Sequence, residues 1–222
     1  MPVTELIPDK DALRRLGETV RSRLAANPRS YKVPTDKAEI FAIGDFLTAE
    51  ECARFIRMTD TVARPSSLYD QDYDSGFRTS YSGDLSPQDP LVKAVSRRID
   101  DLLGINAICG ETIQAQRYYP GQQFQAHNDW FYTDQEYWKG ERKRGGQRSW
   151  TAMAFLNSVE AGGETHFVEV GAKIQPKRGV LLVWNNALTD GSPNPDTLHA
   201  GTPVTAGVKY VLTKWYRTRK WK

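Results

Sequence analysis

The stretch ETIQAQRYYPGQQFQAHNDW, residues 111–130, is where the chain changes its hydrophobic period. Upstream of it apolar residues recur at three- and four-residue spacing. Within it they alternate with polar ones, and Pro120-Gly121 marks a turn between two such runs. The same alternation continues to the other end of the chain. Strand-like runs occupy 112–119, 123–129, 149–157, 164–169, 179–184, 197–204 and 208–217. Turn residues separate them at Gly145-Gly146, Gly162-Gly163, Gly191-Ser192-Pro193 and Ala206-Gly207. Many short strands without intervening helices predict a sandwich or a barrel. The hydrophilic stretches 66–84 and 132–147 read as loops.

Working back from residue 111, three helices precede the strands. Leu13, Leu16, Val20 and Leu24 give an amphipathic stripe that stops before Pro28. Thr48 and Glu51 have capping-box spacing, and Cys52, Phe55 and Ile56 form the apolar face behind them. Asp89-Pro90 offers a carboxylate at the cap and proline at the first helical position, followed by Leu91, Val95, Ile99 and Leu102. The expected layout is mainly β with flanking N-terminal helices. A helical extension covers 1–38. A single domain covers 39–217, with helices 48–60 and 89–103 packed on a β core at 111–217. The basic tail 218–222, within RTRKWK, reads as a frayed, solvated end.

Composition narrows the function classes. The 222 residues hold 30 Lys and Arg against 27 Asp and Glu, two cysteines and three histidines. Two cysteines exclude a disulfide framework and point to a reducing compartment, the cytoplasm. Cys52 and Cys109 read as free, buried thiols. A net charge of +3 gives no footprint for nucleic acid, and no signal peptide or membrane span is visible. Three histidines set a ceiling of one small metal site.

That site has visible candidates. His127 and Asp129 are two apart at the end of an alternating run, so a strand turns both to one face. His199 opens another strand-like run. Either histidine alone reads as a surface or satisfied core residue. Together, two imidazoles and one carboxylate can form the facial triad that binds one octahedral metal and leaves adjacent positions open. Ten residues after His199 comes Lys209, in GVKYVLTKWYR. Alternation puts Lys209, Val211, Thr213 and Trp215 on one face, a cation and a hydroxyl among apolar neighbours, suited to a carboxylate partner.

The motifs HND (127–129), GGETHF (162–167), LHAGTPV (198–204), Lys209 and TKW (213–215) resemble the prolyl 4-hydroxylase group of Fe(II)- and 2-oxoglutarate-dependent dioxygenases. So do FLTAEEC (46–52), FRTS (77–80), QAQRYYPGQQFQAHND (114–129) and GQRSWTAMAFLN (146–157). The resemblance runs from Phe46 to Arg217. It implies a double-stranded β-helix, or jelly roll. It implies Fe(2+) held by His127, Asp129 and His199, with 2-oxoglutarate as cosubstrate, O2 as oxidant and ascorbate as reductant. Lys209 matches the residue that pairs with the distal carboxylate of 2-oxoglutarate, and Tyr118 and Thr213 match positions that hydrogen-bond it. Arg148 matches an arginine near the peptide substrate, and FRTS a loop that folds over it. The implied reaction hydroxylates an unactivated carbon, foremost in peptidyl proline, and converts 2-oxoglutarate to succinate and CO2. Asp129 argues for hydroxylation over halogenation. Arg217 departs from the pattern, standing where some members carry a histidine near the substrate.

The same residues admit other chemistries. The oxygenase chemistry could act on a free amino acid or small metabolite. The triad could hold zinc for hydrolysis with Glu164 as base, which leaves Lys209 and Thr213 without a role. A nucleobase dioxygenase would be expected to use arginine where Lys209 stands, and an inactive binding module need not keep all four residues. His166 faces away from its neighbours in GGETHF and reads as structural. Tyr69, Tyr73, Phe77 and Tyr81 could wall a groove for an extended peptide or serve local packing. Trp130 and Phe131 read as core packing or as a wall of the site, and Lys143 and Arg144 as a solvated face that could also steer an acidic substrate.

Overall fold

Every residue of the strand Arg148–Phe155 is buried. Its odd and even side chains enter different cores. Trp150, Ala152 and Ala154 join one apolar cluster, and Met153 and Phe155 join another. Such a strand must lie in the middle of three layers. The computed structural model describes residues 9–67 and 76–222, and the layers are helices, a large sheet and a smaller sheet.

The second and third helices start at the caps read from the sequence, and the first follows its apolar stripe. α1 spans Lys10–Ala26 and buries Leu13, Val20 and Leu24. α2, Ala49–Val62, starts at a complete capping box: Glu51 N–H donates to Thr48 Oγ1 at 3.2 Å, and Thr48 N–H to Glu51 Oε2 at 3.0 Å. α3, Pro90–Leu103, starts at Asp89, whose Oδ1 accepts from Leu91 and Val92. It stops at Gly104, whose φ of 69° is the left-handed conformation that favours glycine. A fourth helix, α4 (Trp138–Lys143), lies inside the stretch expected to be a loop.

The strands are β1 (Ser30–Lys32), β2 (Ile40–Ile43), β3 (Arg64–Pro65), β4 (Tyr81–Asp84), β5 (Gln114–Tyr118), β6 (Phe124–His127) and β7 (Arg148–Phe155). There follow β8 (Ala161–Gly162), β9 (Thr165–Phe167), β10 (Ala172–Ile174), β11 (Leu181–Asn185), β12 (His199–Gly201), β13 (Val204–Ala206) and β14 (Lys209–Arg217). The large sheet runs β1-β2-β11-β7-β14-β5-β4-β3, and the smaller one β10-β9-β12-β6, with β13-β8 as a two-stranded ribbon. The pairings are antiparallel. Two antiparallel sheets face to face, built from such short crossing strands, make the jelly roll.

The helices cover the outer face of the large sheet. Val20 and Leu24 of α1, Phe55 of α2 and Val95 and Ile99 of α3 pack with Trp150, Val183 and Leu212. Residues 10–26 therefore share the main core and are not an appendage to it. The other face holds Ile40, Phe155, Leu182, Trp184 and Val211 against Phe167 of the small sheet. Fully burying a side chain such as Phe155 contributes about 1.5–3 kcal/mol.

Several expectations need correction. The stretch 66–84 contains β4, which pairs with β5 through Tyr81↔Arg117 to Asp84↔Gln114. β1 and β2 extend the large sheet from residues assigned to no strand. Run 123–129 ends as a strand at His127, so Asp129 lies just beyond it. Run 197–204 divides into β12 and the start of β13. The segment 218–222 is fastened rather than frayed. Trp221 N–H donates to Ile108 O at 2.8 Å, Lys222 N–H to Arg144 O at 3.2 Å, and Arg219 pairs with Asp9 at 2.8 Å. Tyr69 and Tyr73 lie outside the described residues. Among the described residues no helix is long and apolar enough to cross a membrane.

Candidate active site

The mouth of the sandwich is lined by two adjoining strands of the small sheet. β12 pairs with β6 so that His199 sits directly across from His127. Backbone carbonyls orient both rings: His127 Nδ1 lies 2.7 Å from Gln125 O and His199 Nδ1 2.9 Å from Thr197 O. With the proton of each ring donated to its carbonyl, each Nε2 keeps its lone pair free. His127 Nε2 lies 3.9 Å from Asp129 Oδ1, and His199 Nε2 lies 3.9 Å from Asp129 Oδ2. The three ligand atoms lie within 4.8 Å of one another, a spacing that can hold one metal ion. Burial, reinforced by His199, pushes the His127 pKa down to about 3, so its imidazole is neutral and available. Burial raises the Asp129 carboxyl, but His199, His127, Arg148 and Thr151 outweigh it and hold the group below its ordinary value.

A second layer fixes the carboxylate. Thr151 Oγ1 donates to Asp129 Oδ2 at 2.7 Å and accepts from Asn186 Nδ2 at 3.0 Å. Trp184 meets the His199 ring edge-on, 4.9 Å between centroids. Gln147 clamps the backbone beyond the ligands: its Oε1 accepts from Phe131 N–H at 2.7 Å, and its Nε2 donates to Phe131 O at 2.8 Å.

The cluster stands between two chambers that share Phe124, His127, Asp129 and Trp215. The inner one lies within the sandwich and is lined by Tyr118, Thr165, His199, Lys209, Val211 and Thr213, among others. The alternation read along β14 is correct, since Lys209, Val211, Thr213 and Trp215 all reach this chamber. Lys209 is 3% exposed and, among the described residues, has no ion-pair partner; its Nζ lies over the rings of Tyr118 and Phe155 at 5.3 and 5.8 Å. Burial lowers its pKa to about 8, against a weaker pull upward from Glu164. Thr165 Oγ1 is buried in the same chamber without a hydrogen-bond partner. Tyr118 Oη donates to Gln116 Oε1 at 2.7 Å, and Gln116 Nε2 donates to Thr213 Oγ1 at 3.1 Å. A buried cation without an anion and a buried hydroxyl without a partner fit a small dicarboxylate. Two imidazoles and a carboxylate fit Fe(II).

The outer chamber is an open cleft of about 400 Å³. Phe77, Phe124, Trp130, Phe131, Tyr132 and Trp215 are in its wall, with Arg78, Glu111 and Arg148 among them. Arg148 lies over Trp215 at 4.1 Å and reaches Asp129 O at 3.4 Å. Arg78 lies over Phe124 at 4.6 Å and donates to Ser80 Oγ and Gln114 Oε1 at 3.1 and 3.0 Å. Burial pushes its pKa below the ordinary arginine value.

Not every candidate belongs here. His166 turns away from the buried Thr165 and Phe167 and is not part of the cluster. Glu164 accepts from Thr202 and Gln175 and lines neither chamber, so a zinc hydrolase would lack its base. Tyr81 packs on Tyr119, 6.2 Å between centroids, while Phe77 does face the cleft. Trp130 and Phe131 are wall residues, and Phe131 is also buried. Arg217 is 1% exposed and bound to Glu111 and Glu141, away from the cleft surface. Gln116, Thr165, Thr151, Asn186 and Glu111 were not anticipated. Gln116 carries a signal in hindsight, because it shares the inward face of β5 with Tyr118.

Comparison with known proteins agrees with this geometry. Residues 113–217 match the 2OG-Fe(II) oxygenase superfamily. The chain is 30% identical to probable prolyl 4-hydroxylase 4 of Arabidopsis thaliana, over 87% of this chain and 72% of that one. It is 33% identical to prolyl 4-hydroxylase subunit alpha-1 of Rattus norvegicus, over 87% of this chain but 38% of that longer one. Among solved structures, the viral collagen prolyl hydroxylase of Paramecium bursaria Chlorella virus-1, in complex with 2OG, superposes with a TM-score of 0.63 at 26% identity. That match covers 80% of this chain and 94% of the viral one. The two-chambered site and these relatives lead to one assignment: the chain belongs to the prolyl 4-hydroxylase family of Fe(II)- and 2-oxoglutarate-dependent oxygenases.

Proposed function

We propose that the protein hydroxylates proline within a peptide, with His127, Asp129 and His199 holding the iron and Lys209 anchoring the distal carboxylate of 2-oxoglutarate. The observation that carries this reading is the meeting of two unlike chambers at one cluster of two imidazoles and a carboxylate. The inner chamber is small and holds the buried Lys209 ammonium; the outer is larger, about 400 Å³, and walled by aromatic rings. When bound, iron and 2-oxoglutarate supply a two-electron oxidant from O2, releasing succinate and CO2.

The residues of this chain do the positioning. Gln125 O and Thr197 O orient the two imidazoles, and Thr151 holds the carboxylate between them. Lys209 contributes the charge that selects a dicarboxylate, while Tyr118, Thr165 and Thr213 offer hydroxyls along its length. Tyr118 stays protonated because burial raises its pKa. In the cleft the aromatic walls suit an extended, proline-rich chain, whose preformed conformation loses little entropy on docking. Arg148 and Arg78 offer guanidinium donors to its backbone carbonyls. Ascorbate is the proposed reductant that restores the ferrous state. The free cysteines Cys52 and Cys109 support residence in a reducing compartment such as the cytoplasm.

The test is to supply Fe(II), 2-oxoglutarate, ascorbate and a panel of proline-containing peptides, then locate the added oxygen atom by tandem mass spectrometry. Oxygen on a proline residue is expected. Oxygen only on free proline or another small molecule would replace the peptide reading with a metabolite one.

A further inference from the structure

A buried line of alternating charge leads from the cleft into the protein. Arg148, in the cleft wall, grips Glu111 through two bonds: Nε to Oε1 at 2.7 Å and Nη2 to Oε2 at 2.9 Å. Arg217 Nε donates to the same Glu111 Oε1 at 2.5 Å. The remaining arms of Arg217 donate to Gly146 O at 2.7 Å and to Glu141 Oε2. Glu141 belongs to α4, is 3% exposed and lines no part of the cleft. The order is thus Arg148, Glu111, Arg217, Glu141. Both guanidinium groups also lie over the ring of Phe131, at 4.8 and 4.4 Å.

One carboxylate, Glu111, therefore serves two arginines. A buried guanidinium that loses an anion leans harder on whatever anion remains. Without Glu141, Arg217 would keep Glu111 as its one carboxylate, beside the Gly146 carbonyl and the Phe131 ring, and would draw the shared carboxylate away from Arg148. We propose that Glu141 is a positioning residue for the substrate cleft. By neutralising Arg217, it leaves Glu111 able to hold the Arg148 guanidinium over Trp215, facing the peptide. This rests on the cleft being the peptide site.

The holoenzyme with Fe(II) and 2-oxoglutarate, and a proline peptide it hydroxylates, provides the assay. Glu141→Gln is expected to raise the peptide KM by about tenfold, as a misaligned contact does, while the KM for 2-oxoglutarate stays put. Glu141→Asp, which keeps the charge, should retain most of the affinity. The double variant Glu141→Gln/Arg217→Gln removes the competing cation together with its partner, and should bring the peptide KM back to within about twofold of the wild type. A merely structural role predicts the reverse, since a second buried deletion adds to the damage; that outcome would overturn the proposal. The Arg148 Nε–H resonance in NMR reads the same link without any peptide. It should shift in Glu141→Gln and stay near its wild-type position in Glu141→Asp, and an unmoved resonance in Glu141→Gln would equally overturn the proposal. By contrast, an unchanged peptide KM in Arg148→Ala would sink the peptide reading of the cleft, whatever the resonance shows.

Discussion

Lys209 stands opposite Tyr118 in the β14–β5 ladder, its Nζ 5.3 Å from the centre of the Tyr118 ring. Among the described residues no carboxylate is within ion-pair distance of it. A cation kept in such a place is costly to the fold. Its pKa falls from 10.5 to about 8, so at pH 7 the buried charge costs about 3 kcal/mol of stability. Between those two values the folded protein binds fewer protons than the unfolded chain, and stability rises with pH. Lys209→Met should stabilise the apo-protein against urea at pH 7 by up to that amount, with most of the advantage gone at pH 10. The same variant should lose 2-oxoglutarate binding.

Affinity for 2-oxoglutarate should carry the same titration in the opposite sense. The ammonium ion is present below about pH 8 and lost above it. Binding measured by calorimetry should be level from pH 6.5 to 7.5 and then weaken, approaching about tenfold per pH unit. Lys209→Arg, which stays charged, should flatten that decline even if its overall affinity is lower.

Thr151 is expected to matter to the metal although it is not a ligand. Thr151→Val keeps the shape but removes the bond to Asp129 Oδ2 and strands Asn186 Nδ2. Ferrous-ion affinity, followed by anaerobic titration, should fall by about 10–100-fold. Stability should fall by about 1–3 kcal/mol for the unpaired buried amide.

Removing the Tyr118 hydroxyl tests the inner chamber separately from the cleft. Tyr118→Phe should raise the KM for 2-oxoglutarate about fivefold, the worth of one hydrogen bond, and leave the peptide KM unchanged.

The parts of this architecture visible in the sequence are those set by local physics. Thr48 with Glu51 and Asp89 with Pro90 fix helix starts within a few residues of themselves. The inward face of β14 follows from strict alternation, and that face carries Lys209 and Thr213. What was hidden depends on distant partners. β4, with the sequence YSGD, has no apolar pattern and exists because β5 pairs with it. β7 reads as a strand at 149–157, but the burial of both its faces depends on the helices and the small sheet that cover it. Nothing local in the sequence pairs Glu111, Glu141 and Arg217, which neutralise one another across 76 and 106 residues of sequence. The segment 218–222 looks like a loose basic end. Its order comes from Asp9, Ile108 and Arg144, and it brings Trp221 to the cleft wall.

The most direct test of the whole account is the ratio of succinate released to oxygen atoms gained by a proline peptide, measured in one reaction for the wild type and for Asp129→Ala. The account predicts equal amounts of the two products in the wild type and neither in the variant. Peptide oxidation without succinate, or equal turnover in Asp129→Ala, would contradict it.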